Sequence, residues 1–209
     1  FCGLVGLKPT YGAVSREGII AMGNSLDQVS PFGKCVRDTE IIFNLLSAYD
    51  PEDSTSVPDN LRSPKHNKNS KKIGVPWHLF REGVESEVRE NFKQSLEKFK
   101  KAGYEIVDIE LPNSPYSLAA YYIIMPAEVS TNLSRFDGIR YGYSAKGDNL
   151  MEVYKKSRGK GFGREARRRI LLGTYVLSHG YYDAYYKKAQ KVREKIKEEI
   201  KEAFEKVDY

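Results

Sequence analysis

Few residues in this chain have the spacing of a self-contained catalytic machine. Its three histidines, His66, His78 and His179, are scattered without ligand spacing, which argues against a metal centre. No GxSxG elbow, phosphate-cradling GxxxxGK loop or HExxH helix occurs. Gly159, Gly161 and Gly163 are spaced like part of a phosphate loop, but no predicted strand feeds them, and they read as a flexible hinge. Arg169 offers more. On a helix it shares a face with Phe162, Ala166, Gly173 and Val176, so its guanidinium is turned toward protein interior. An arginine in such a place needs an anion. A ligand carboxylate could supply one through two parallel hydrogen bonds. Glu165, one turn back, could do the same from within the helix. Arg167 and Arg168 point elsewhere and read as surface or interface charges.

The elements that must position these groups alternate between extended and helical. Val5 to Gly12 reads as a strand running into a turn, and Gly18 to Met22 as a second extended piece. Asp38 is placed to N-cap a helix over Thr39 to Tyr49, whose apolar stripe is Ile41, Ile42, Leu45 and Leu46. From Asp50 to Lys72 the chain is polar and aperiodic, as a long surface loop would be. Lys72 to Pro76 and Tyr104 to Leu111 read as strands. Between them Val88, Phe92, Leu96 and Phe99 mark an amphipathic helix over Glu85 to Ala102, with Gly103 as its C-cap. Strand, helix and strand in that order make a crossover unit, so the sheet is at least partly parallel. Helices are then predicted over Tyr116 to Leu133, Leu150 to Ser157, Glu165 to Ser178 and Tyr181 to Val207. Within the last, Tyr181/Tyr185 and Tyr182/Tyr186 form two rows suited to core or subunit-interface packing, and Lys187 to Lys206 is a solvated Glu/Lys helix.

With 209 residues, 40% hydrophobic and 30% charged, the chain has the make-up of a globular domain. No apolar run approaches the roughly 20 residues that span a bilayer. Cys2 and Cys35 are too few for a disulfide framework and read as small core residues in a reducing cytoplasm. The net charge of +6 would suit a phosphate-bearing partner, but much of the excess lies in Arg62 to Lys72 and in the Lys/Glu-rich end, both expected as solvated surface. The opening FCGLVGLKPTYG is apolar from its first residue and has no Met, and Val207-Asp208-Tyr209 stops where a strand could begin. Both ends are therefore expected to be cut.

Residues 1–36, FCGLVGLKPTYGAVSREGIIAMGNSLDQVSPFGKCV, resemble the second half of the amidase signature sequence. STNLSRFDGIRYGY (Ser130 to Tyr143) and GREARRRILLGTYVLSHGYYDAYYKKAQKVR (Gly163 to Arg193) resemble, more specifically, the glutaminase subunits of tRNA-dependent amidotransferases within that family. The resemblance implies an α/β fold with a mixed, partly parallel central sheet covered by helices. It implies one partial amidase domain over residues 1–209: a post-nucleophile segment 1–49, a surface loop 50–71, and a substrate-binding helical part 72–209. The family's Ser–cis-Ser–Lys triad would lie upstream of Phe1, so no catalytic residue is assigned in this chain, which alone is expected to be inactive. Lys8 is not the triad lysine.

In those glutaminase subunits the triad hydrolyses glutamine through an acyl-enzyme, and the ammonia released converts Glu-tRNA(Gln) to Gln-tRNA(Gln). The implied partners are subunits B and C. Glu-tRNA(Gln) is reached mainly through the partner, ATP and Mg2+ are expected there, and no cofactor, metal or membrane is expected at this chain. The family's carboxylate-binding arginine maps to Arg169. A substrate tyrosine maps to Tyr121 across a one-residue gap, where packing is the competing role. The acidic residue that holds the substrate ammonium would lie past Tyr209. Asp27 and Gln28 fall in a signature turn near the site, where they read as caps of backbone amides. Two other readings remain open: a free-standing amidase acting on a small amide, and a non-catalytic binding or scaffold protein.

Overall fold

The computed structural model describes residues 2–62, 71–80 and 83–209. Two compact units divide the chain: Phe1–Pro64 with Met125–Thr174, and Lys65–Ile124 with Tyr175–Tyr209.

The first unit opens with β1 (Val5–Gly6) antiparallel to β2 (Phe32–Gly33), Val5 facing Gly33. The pairing is much shorter than the expected Val5 to Gly12 strand. Pro9 has no N–H to give a ladder, and the chain turns at once, Ala13 N–H reaching the Thr10 carbonyl at 3.0 Å. Gly18 to Met22 joins no strand; turn bonds such as Ile19 N–H to the Arg16 carbonyl (3.0 Å) hold it instead.

Helix α1 spans Val36–Leu46, and its N-cap is Cys35, not Asp38. The Thr39 N–H (3.3 Å) and Oγ1 (3.2 Å) both bond the Cys35 carbonyl, which starts the helix earlier. Asp38 then sits in the first turn, where its charge complements the helix dipole. Both cysteines are exposed, contrary to the core reading. Cys35 caps a helix end and Cys2 precedes β1, so neither is on a buried face. The stretch from Asp50 is not simply surface loop, since Asp53 and Ser56 are buried and a short helix, α2 (Asp59–Arg62), follows. Residues 63–70, including His66, lie outside the described residues.

Three further helices complete this unit. The second half of α4 (Ser117–Leu133) is its most buried segment, with Met125, Pro126, Ala127, Val129 and Asn132 all buried. α5 (Leu150–Gly161) is N-capped by Asn149, whose side chain accepts the Glu152 N–H. It runs through Gly159 and Gly161, so the expected hinge is helix up to Phe162. An interior glycine such as Gly159 costs a helix about 1 kcal/mol, but Arg158 ties α5 down on the carbonyls of Ser134 and Phe136 at 3.3 Å each. α6 (Arg164–Leu177) presses on α4 so closely that a Cβ at Gly173 would lie 1.9 Å from the Pro126 carbonyl oxygen. Only glycine fits there.

In the second unit β3 (Lys72–Val75) and β4 (Glu105–Asp108) run parallel, Lys72 beside Glu105, joined by α3 (Ser86–Lys101). A parallel pair requires such a crossover. Gly103 adopts φ +86° after α3, a left-handed conformation that glycine takes without strain. Tyr209 lies along the other edge of β3, its carbonyl accepting the Gly74 N–H at 2.7 Å. The fold is thus mixed α/β, mostly helical, with a small parallel sheet. A π-helical turn, Tyr182–Tyr186, leads into α7 (Lys187–Ala203), and Ala189 packs with Ala120 and Ile124 in a small core. The tyrosine rows stack, at 6.0 Å for Tyr181/Tyr185 and 5.2 Å for Tyr182/Tyr186. Three of the four rings stay exposed, so here they are not core.

Candidate functional site

In the first unit, Met22 to Gln28 forms a loop closed on its own backbone. The Asp27 carboxylate accepts the Met22 N–H at 2.9 Å and the Gly23 N–H at 3.0 Å. Gln28 Oε1 accepts a hydrogen bond from Lys8 Nζ at 3.2 Å, which joins the loop to the segment after β1.

Anchors hold this loop from two directions. From one, the Asn24 carbonyl accepts from the Tyr11 hydroxyl (2.6 Å) and from Arg16 Nη1 (2.7 Å). Arg16 is itself fixed by Asp53, whose carboxylate accepts the Arg16 N–H (2.9 Å), Arg16 Nη2 (3.3 Å), the Thr55 N–H (2.9 Å) and the Thr55 hydroxyl (2.8 Å). Burial pushes the Asp53 carboxyl up, but the Arg16 side chain and then the backbone donors outweigh it and hold it well below the usual carboxylate range. From the other direction, Glu128 on α4 accepts both the Ser25 N–H (2.9 Å) and the Ser25 hydroxyl (2.6 Å). One turn on, Asn132 Nδ2 donates to the Met22 carbonyl (3.0 Å) and to Asn24 Oδ1 (3.1 Å).

Arg169 also leans on α4. Its side chain is 21% exposed, with Nε bonded to Glu165 Oε1 at 2.8 Å and Nη1 at 3.4 Å from Met125 Sδ. The intrahelical pair expected from the spacing is therefore made. The same carboxylate also accepts two bonds from Arg168, each 2.8 Å, while Arg168 itself is exposed, the surface charge that its position on the helix suggests. The Arg168 and then the Arg169 hydrogen bonds lower the Glu165 carboxyl to about 2. Glu165 is 58% exposed and already has a bidentate partner, so an incoming carboxylate can take its place at Arg169 without leaving it unpaired.

Tyr121 belongs to the second unit, where it is 37% exposed and meets Tyr122 edge-on at 5.4 Å. In that unit His78 Nε2 lies 3.2 Å from the Leu111 carbonyl, and His179 is exposed. Among the described residues no group of three or more His, Cys, Asp or Glu side chains is placed to hold a metal. Nor is any helix among them long and apolar enough to cross a membrane.

Sequence reasoning missed Arg16, Asp53, Glu128 and Asn132. One local signal was available: Glu128 and Asn132 are polar, four residues apart, and interrupt the apolar run of α4 on one face.

This combination of helices with a small parallel sheet places the chain in the α/β class that known amidases share. The crystal structure of the A-subunit of glutamyl-tRNA(Gln) amidotransferase from Thermotoga maritima matches with a TM-score of 0.68 and 34% identity, over 99% of this chain and 41% of that one. Kluyveromyces lactis allophanate hydrolase shares the fold, with a TM-score of 0.70 at 21% identity, over 98% of this chain and 30% of that one. The amidase family model matches residues 1–209, and the chain belongs to the amidase family. The glutamyl-tRNA(Gln) amidotransferase A-subunit of Sulfurihydrogenibium sp. is 50% identical over 213 residues, covering all of this chain and 44% of that protein. The protein of the same name from Caldanaerobacter subterraneus is 51% identical over 212 residues, covering 99% of this chain and 43% of that protein. The chain thus spans less than half the length of the relatives it matches.

Proposed function

We propose that this chain is part of the glutaminase component of a tRNA-dependent amidotransferase, a protein of the A-subunit type. The observation that carries the reading is identity near 50% along the whole chain to proteins named as the A-subunit of glutamyl-tRNA(Gln) amidotransferase. The Arg169 geometry supports it, because an amino-acid substrate presents a carboxylate and Arg169 is held by an anion that can be exchanged.

In this reading a serine upstream of Phe1 adds to the side-chain carbonyl of glutamine. The C–N bond breaks, ammonia leaves, and water hydrolyses the resulting ester to glutamate. Arg169 grips the α-carboxylate through charge-assisted bonds, and Tyr121 contributes to the substrate-binding surface. Asp27 and Gln28 shape the loop beside the reacting groups. The ammonia is used on Glu-tRNA(Gln) by partner subunits B and C, which hold ATP and Mg2+. This chain binds no cofactor, and the complex acts in the cytoplasm.

The test is to co-express the complete gene with subunits B and C and to assay glutamine hydrolysis with and without Glu-tRNA(Gln) and ATP. Hydrolysis that depends on the partners and rises with tRNA and ATP is the expected result. Turnover of small amides by the lone complete protein would make it a free-standing amidase. No turnover in any combination would leave a binding or scaffold protein. Glutaminase activity from residues 1–209 alone would overturn the upstream position of the triad.

A further inference from the structure

We propose that Glu128 and Asn132 are positioning residues for glutamine hydrolysis, holding the Met22 to Gln28 loop in its working register through Ser25, Met22 and Asn24; the inference rests on the function proposed above. The loop has little packing to hold it. Met22 and Leu26 are its apolar side chains, and they remain 42% and 38% exposed. It lies outside any strand, so its position follows from its hydrogen bonds.

Those bonds are arranged as a two-point lock. One Glu128 carboxylate takes both donors of Ser25, the main-chain N–H and the hydroxyl, which fixes the orientation of that residue as well as its distance. Asn132 is 3% exposed and spends its amide donors on the Met22 carbonyl and the Asn24 side chain, so the stretch leading into Ser25 is gripped as well as Ser25 itself. The two side chains are one turn apart on α4, so a rigid helix sets the spacing of the two grips. The same helix also reaches the guanidinium: Met125, one turn before Glu128, is the residue whose sulfur lies 3.4 Å from Arg169 Nη1. A single stretch of α4, Met125 to Asn132, therefore carries both the loop with Asp27 and Gln28 and the arginine assigned to the substrate carboxylate. Gln28 passes the register on to Lys8, in the segment that follows β1.

The test uses the complete protein with its partner subunits and compares Glu128→Ala with Glu128→Gln. Glutamine keeps one acceptor for the Ser25 N–H and offers an N–H to the hydroxyl, so it preserves both points of the lock. Alanine keeps neither. Misplacement of a segment beside the reacting groups by about an ångström is costly, so Glu128→Ala is expected to lower kcat at least about tenfold with the glutamine KM within about threefold, while Glu128→Gln stays within about threefold of wild type in both. Melting temperatures of all three should agree. Should Glu128→Ala not fold, Ser25→Ala removes one of the two points from the loop side and is expected to lower kcat in the same direction. An unchanged kcat in a folded Glu128→Ala or Ser25→Ala protein overturns the proposal. So does a loss that follows the melting temperature and is not rescued by Glu128→Gln. A wild-type complex that does not hydrolyse glutamine removes the functional reading itself, which the other outcomes leave standing.

Discussion

Arg16 and Arg169 each hold a carboxylate in the first unit, but the two pairs differ in burial and in sequence separation, which decide what an ion pair does. Asp53 has a side chain 5% exposed and joins Arg16 across 37 residues, with Thr55 adding further donors. Glu165 is 58% exposed, lies one helical turn from Arg169, and is shared with Arg168. The first pair ties two loops together and is enclosed by them. The second ties a helix to itself, where exposed pairs add little. Identical chemistry is therefore structural in one place and, in the function proposed above, available to a ligand in the other.

The most severe way to break that contrast is to remove Asp53. Asp53→Ala leaves Arg16 partly buried and without the carboxylate, and is expected to cost about 3 kcal/mol, as for other buried pairs that lose one partner. Urea unfolding followed by far-UV circular dichroism reads this directly. A loss below about 1 kcal/mol would place the Arg16 pair with ordinary exposed pairs.

Arg169→Ala probes the other side. In the complete enzyme it is expected to raise the glutamine KM at least about tenfold, the loss of a charge-assisted bond worth roughly 1.5–3 kcal/mol. Melting temperature should barely move. An unchanged KM would remove Arg169 from the site, and a large stability loss without a KM effect would make its pair structural after all.

How much of this was legible in the sequence depends on the span of each signal. The crossover unit was legible because Val88, Phe92, Leu96 and Phe99 repeat at helical spacing between two short apolar runs, and Gly103 marks the stop. The inward lean of Arg169 was legible for the same reason, since Gly173 and Val176 on its face are buried. The locks on the Met22 to Gln28 loop were not. They join Ser25 to Glu128 across 103 residues and Met22 to Asn132 across 110, and no local pattern encodes such partners. Cys35 was misread because residue type predicts average burial, whereas its place at a helix start determines its actual exposure. Asp38 was misread because it is the better cap by type, while Thr39 bonds the Cys35 carbonyl and moves the start.

The pH dependence sharpens the comparison further. The folded Asp53 carboxyl titrates well below the unfolded value of about 3.9, so the unfolded chain takes up the proton first as pH falls. Its contribution is complete above about pH 5 and is lost progressively below about pH 4, toward the folded value. Asp53→Asn should flatten the acid side of the stability curve across that window. Parallel curves for wild type and Asp53→Asn would mean that the charge of Asp53 adds nothing beyond its hydrogen bonds.

The smallest effect, and the most discriminating for the site, is expected from Glu165→Gln. The Glu165 carboxyl is lowered to about 2, by Arg168 first and Arg169 second, but it is exposed and screened, so stability should not change measurably at neutral pH. Its influence should fall on the ligand instead. Glu165 and a substrate carboxylate compete for the same Nε–H of Arg169, and weakening one competitor favours the other. The glutamine KM is therefore expected to fall by about two- to threefold, the scale of a weak helical ion pair. An unchanged KM would show that the substrate does not displace Glu165. A raised KM would show that Glu165 orients the guanidinium for its ligand, which would move it from competitor to support and make the exposed pair functional as it stands.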